Sequence, residues 1–121
     1  MKYLLLLAVS ALASCASAPR HGINHTVVMW LKDPGNEVHR QTLIGVAESF
    51  RAIPGVRSVT AGPCIPSARS IVDSSFDVAV TLTFNSKEKL QQYLDNPEHK
   101  AAAASTLKPL VKKITVYDYQ F

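Results

Sequence analysis

Residues 76–84 constrain this chain more than any other stretch. Phe76, Val78, Val80, Leu82 and Phe84 alternate with Asp77, Ala79, Thr81 and Thr83 over nine positions. Successive side chains of an extended strand point to opposite faces, so this two-residue period predicts a strand with one buried face. A strand of that kind needs partners and a cover, and the remaining sequence supplies both. Residues 25–32 predict a strand, with His25, Val27, Met29 and Leu31 on one side and Thr26, Val28, Trp30 and Lys32 on the other. Asp33-Pro34-Gly35 predicts a turn, and Asn36 is suited to accept from the first free amides of a helix over residues 37–52. Val38, Leu43, Val46, Ala47 and Phe50 form the apolar stripe of that helix. Ile53-Pro54-Gly55 ends it, because proline cannot continue the hydrogen-bond ladder. A strand over residues 56–61 and a loop over residues 62–73 follow. Ser86 then caps a second helix with Leu90, Tyr93 and Leu94 on its apolar side. Pro97 breaks this helix, a further helical stretch runs through residues 101–104 toward Leu107, and residues 114–121 predict the last strand.

The order strand, helix, strand, strand, helix, strand is that of an α+β, ferredoxin-like βαββαβ domain, an antiparallel four-stranded sheet with both helices on one face. The helix-facing side takes Val27, Met29, Val78, Val80, Leu82, Ile114 and Val116. The opposite face carries Val28, Trp30, Tyr117, Tyr119 and Phe121, more aromatic surface than a monomer leaves in water. A second copy packed on this face is the expected cover, which makes the chain a homodimer.

The amino terminus has a different character. Lys2 precedes an apolar run over residues 3–9 with four consecutive leucines, Leu4 to Leu7, and small residues lead to Leu12-Ala13-Ser14-Cys15. Charge, short apolar segment and small-residue cleavage site make a secretory signal peptide, too short to remain as a membrane span. The last four residues resemble the lipobox of bacterial lipoproteins. That resemblance implies removal of residues 1–14, a lipid on Cys15, a tether over residues 15–23 and a domain over residues 24–121. It makes the membrane a partner through the lipid. Ala16, in place of the aspartate of inner-membrane retention, implies the periplasmic face of the outer membrane. Cys64 is then a lone, small packed residue; the rival arrangement is a Cys15–Cys64 bridge in a chain without lipid. The formal charge of +4 includes Lys2, and Lys112-Lys113 is the only adjacent basic pair after cleavage. Nucleic-acid binding needs clustered charge, so it is not expected.

Six pieces of the domain, in order and spacing, resemble the stress-responsive A/B barrel (Dabb) family: residues 25–32, Ile53-Pro54-Gly55-Val56, residues 76–84, residues 93–99 (Tyr93 through Pro97-Glu98-His99), Pro109-Leu110-Val111 and Val116-Tyr117-Asp118-Tyr119. The resemblance implies a dimeric α/β barrel. A plant polyketide cyclase of the family performs an aldol condensation with a histidine and a tyrosine that match His99 and Tyr93, and a pocket histidine of that enzyme matches His25. Two of its other histidines fall at Val78 and Asn96 here.

His99 is the best chemical candidate, because an imidazole titrates near neutrality and can move a proton. A Tyr93 hydroxyl beside it would orient a carbonyl or stabilise an enolate. The bland alternative makes His99 a joint between helical pieces and Tyr93 core. His25 is a pocket residue or a hydrogen-bonded core histidine. His21 lies in the tether and His39 on the outer side of the first helix. The four histidines lack metal-ligand spacing, so no metal is expected, and no motif calls for a cofactor. The expected function is binding of a small apolar ligand by His25, Val27, Met29, Val78, Val80 and Leu82. The alternative is an enzyme resembling a polyketide cyclase or small barrel monooxygenase, with His99 as general base and Tyr93 positioning the carbonyl. Mass spectrometry of the mature chain should show a lipid-modified Cys15 at its amino terminus; an unmodified thiol there contradicts the anchor.

Overall fold

The computed structural model describes residues 21–121. The lipobox and Cys15 lie outside the described residues. Strand β1 (Ile23–Leu31) leads into helix α1 (Glu37–Ser49), which tightens into a 3₁₀ turn at Phe50–Ala52. The hairpin of β2 (Val56–Pro63) and β3 (Val78–Phe84) follows, then α2 (Lys87–Asp95), α3 (Pro97–Ala102), a π-helical turn (Ala103–Leu107), one last turn α4 (Lys108–Leu110) and β4 (Val111–Gln120). The strands form one antiparallel sheet in the order β2-β3-β1-β4. This is the ferredoxin-like α+β arrangement.

Register decides what shares a face. Val27 lies opposite Val80 and Val116, and His25 lies opposite Leu82 and Asp118. The helix-facing side of the sheet is therefore Ile23, His25, Val27, Met29 and Leu31 of β1 with Val80, Leu82 and Phe84 of β3. Leu43, Ala47 and Phe50 of the first helical segment and Leu90 and Tyr93 of α2 close over it as one buried core. The other face carries Thr26, Thr81 and Tyr117 in one row and Asn24, Thr83 and Tyr119 in the next. Tyr117 and Tyr119 are 60% and 53% exposed, so the described residues do not cover them.

Several strand ends shift by one to three residues from expectation, and two differences have identifiable reasons. β3 begins at Val78, not Phe76. The buried Asp77 carboxylate accepts hydrogen bonds from Leu31 N and Gly35 N, each at 2.9 Å, and lies 3.3 Å from Arg40 Nη2. Burial pushes this carboxyl up, but the two amide bonds and the Arg40 charge outweigh it and hold the group below the ordinary carboxylate value. Gly35 adopts φ +78°, the left-handed conformation that lets the turn present its amide to Asp77. With Asp77 used as a clamp, Phe76 leaves the alternation. It meets Trp30 edge to face at 6.5 Å, on the side of the sheet away from the helices.

The second difference is at Pro97. The chain does not wait until residue 101 to resume a helix. Asn96 is extended, its side chain accepts from Glu98 N, and Pro97 is the first residue of α3. Proline suits that position because its missing amide has no helical partner there in any case. From Pro97 to Leu110 no side chain is fully buried. Ala101, Ala102, Ala103 and Ala104 favour a helix; Ala101 and Ala104 are exposed, and the half-buried Ala102 and Ala103 bring little bulk to the inner side. The expectation that His39 is on the outer side of the first helix is corrected in part: its Nδ1 is buried and unpaired among the described residues.

Candidate functional site

The thinly filled space under α3 and the π-helical turn is a cavity of about 260 Å³. Val27, Met29, Val80 and Leu82 of the sheet form its floor, and Leu43, Val46, Ala47 and Phe50 one wall. Ala103 and Leu107 lie above, with Ile114 and Val116 of the edge strand at the side. Ile114 and Val116 are each 44% exposed, so the cavity meets solvent along β4. An apolar cavity of about 150 Å³ suffices to hold benzene. This one has room for a ring and several further carbons.

Three polar side chains interrupt the apolar lining: His25, Tyr93 and His99. The β1 alternation places His25 on the helix-facing side. Its Nδ1 is 2.6 Å from Oδ1 of Asp118, its register partner on β4. A carboxylate accepts, so Nδ1 carries the proton, and Nε2 is the nitrogen left for the cavity. The His25 side chain is 7% exposed and that of Asp118 48%, so the pair runs from the cavity wall to water.

Tyr93 stands in the last turn of α2 and is 2% exposed. Its ring packs against Phe84 at 5.2 Å, Phe50 at 5.7 Å and His25 at 6.1 Å between centroids. Burial pushes the phenol up, so it stays protonated at neutral pH. No hydrogen bond to its hydroxyl is found among the described residues, which leaves the cavity as the source of a partner.

His99 reaches the same place because α3 restarts at Pro97. Its ring centroid lies 4.4 Å from that of Tyr93 and 5.7 Å from that of Phe50. Its Nδ1 donates to the Leu94 carbonyl at 3.3 Å, which again leaves Nε2 for the cavity. Burial lowers its pKa; the Leu94 carbonyl opposes this, while His25 and Lys100 add to it. At neutral pH the ring is therefore uncharged and Nε2 is a lone-pair acceptor.

Of the residues singled out in the sequence, the structure gathers His25, Val27, Met29, Val80, Leu82, Tyr93 and His99 around one cavity. Val78 is not among its walls: it is fully buried, opposite Met29, deeper in the core. Asp118 was not singled out. The signal was available, because the alternation that puts Ile114 and Val116 on the helix side puts Asp118 there too. Phe50, Ala103 and Leu107 were also missed as lining, and Ala103 and Leu107 depend on the π-helical turn. Such turns concentrate at functional sites. Among the described residues no group of three His, Cys, Asp or Glu side chains is placed to hold a metal ion.

Solved structures with this fold include a Dabb family protein with a ferredoxin-like fold from Mesorhizobium loti, 24% identical over 83% of this chain and 96% of that one, with a TM-score of 0.68. A dimeric ferredoxin-like protein of unknown function from Thermobifida fusca is 20% identical over 84% of this chain and 92% of that one, with a TM-score of 0.67. The hydroxynitrile lyase of Passiflora edulis is 20% identical over 83% of this chain and 93% of that one, with a TM-score of 0.71. At these identities the likeness concerns the fold. No curated protein matches the sequence. The family model of the stress responsive A/B barrel domain matches residues 23–121, and with it the chain belongs to the Dabb family.

Proposed function

We propose that this chain is a lipid-anchored, homodimeric Dabb-domain protein whose barrel binds a small apolar ligand. The cavity of about 260 Å³ beneath α3, apolar but for three side chains, carries the ligand reading. The homodimer rests on the uncovered Tyr117 and Tyr119 and on the dimeric Thermobifida fusca relative. The anchor rests on the Leu12-Ala13-Ser14-Cys15 sequence, and the periplasmic face of the outer membrane follows from Ala16.

A second reading is favoured by the convergence of Tyr93, His99 and His25 on that cavity. In it His99 Nε2 takes a proton from carbon next to a carbonyl, while the Tyr93 hydroxyl donates to the carbonyl oxygen. An uncharged His99 and a protonated Tyr93 are the forms this step needs. The reaction class is proton abstraction or aldol-type closure.

Ala103→Phe places a ring in the upper cavity wall. It should weaken binding of n-butylbenzene at least tenfold in an NMR titration without unfolding the protein; equal affinity in both proteins contradicts the cavity as the site. Under the second reading, the chain in D₂O exchanges the α-protons of a small apolar ketone. His99→Ala should slow that exchange by about 10²-fold or more. A base must be unprotonated to act, so the unaltered rate should rise with pH and level off at a midpoint below 6.5, because the His99 pKa is lowered. No change on His99→Ala removes the enzyme reading.

A further inference from the structure

We infer that the ligand of this cavity is a neutral, single-ring-sized apolar molecule bearing a hydroxyl group, such as an alkylphenol. The inference rests on the ligand-binding reading above and deepens it.

The hydrogen-bonding inventory carries it. Both imidazoles have their Nδ1–H committed, His25 to Asp118 and His99 to the Leu94 carbonyl. His99, uncharged at neutral pH, offers the cavity a lone pair on Nε2, which accepts and does not donate. Tyr93 adds one hydroxyl that can donate, with no partner found for it among the described residues. The demand is therefore for a group that donates to an imidazole and accepts from a phenol at the same oxygen, and a hydroxyl does both. A ketone or ether satisfies Tyr93 and leaves His99 unpaired. A hydrocarbon leaves His99 and Tyr93 unpaired, and unpaired buried polar groups are costly.

The charge of the ligand follows from the same walls. Among the described residues no lysine or arginine lines the cavity, and the Asp118 carboxylate stands behind His25 and offsets any charge on that ring. A carboxylate or phosphate ligand would lose its water without gaining a net positive charge. An alkylphenol stays neutral at pH 7, and its ring and short chain match the apolar floor of Val27, Val80 and Leu82.

Three molecules of nearly one shape test this with the full-length chain: 4-propylphenol, propylbenzene and 4-propylbenzoate, compared by isothermal titration at pH 7. The expected order is 4-propylphenol at least tenfold tighter than propylbenzene, with 4-propylbenzoate weakest. Tyr93→Phe, which removes only the hydroxyl, should reduce the phenol's advantage over propylbenzene several-fold. Equal affinity for phenol and hydrocarbon overturns the hydroxyl requirement and leaves the apolar site standing. Preference for the benzoate overturns the neutrality claim. Binding of none of the three overturns both this inference and the reading beneath it.

Discussion

The rest of the site depends on the inability of Pro97 to continue the hydrogen-bond ladder of α2. Without that break one long helix would carry residues 87–110, and His99 would not fold back over Tyr93. With it, Asn96 caps a new helix, and the two rings lie 4.4 Å apart although they stand six positions apart in the sequence. The restarted segment is alanine-rich and crosses the sheet without burying a side chain fully. Backbone geometry closes the space and side-chain bulk fails to fill it. A hollow results where a well-packed interior would leave none larger than a water molecule.

The sheet then decides what the hollow contains. Its register places His25 beside Asp118 across the β1–β4 pair, and a carboxylate on Nδ1 fixes which ring nitrogen is left for the cavity. Asp77 does comparable work at the far end of β1. It ties Leu31 and Gly35 to the start of β3 and so holds the turn that launches α1 over the cavity. One aspartate positions a wall and the other orients a cavity histidine. Neither is part of the apolar pattern that makes the strands.

Much of this could be read from residue order. The alternation from Val78 to Phe84, the stripe of Leu43, Ala47 and Phe50, and the proline and glycine punctuation led to the observed element order and to the ferredoxin-like fold. Where the reading slipped, a polar side chain or a small one was responsible. Phe76 fitted the alternation, but Asp77 turned inward as a clamp and drew the chain off the strand. Asp118 was passed over because β4 had been read for its apolar and aromatic residues. Val78 was assigned to the pocket by its face, but depth within a face depends on what packs above it, and no local pattern encodes that. The hollow itself was the least visible feature, since it comes from bulk that the alanines lack.

Xenon gas tests the hollow most directly, because it enters dry apolar cavities large enough to admit it and makes no hydrogen bonds. In crystals of this protein held under xenon pressure, the account predicts a xenon peak above Val27 and Leu82, beneath Leu107 and next to Phe50. A site without xenon, with Leu107 and Phe50 packed directly onto Val27 and Leu82, would contradict it.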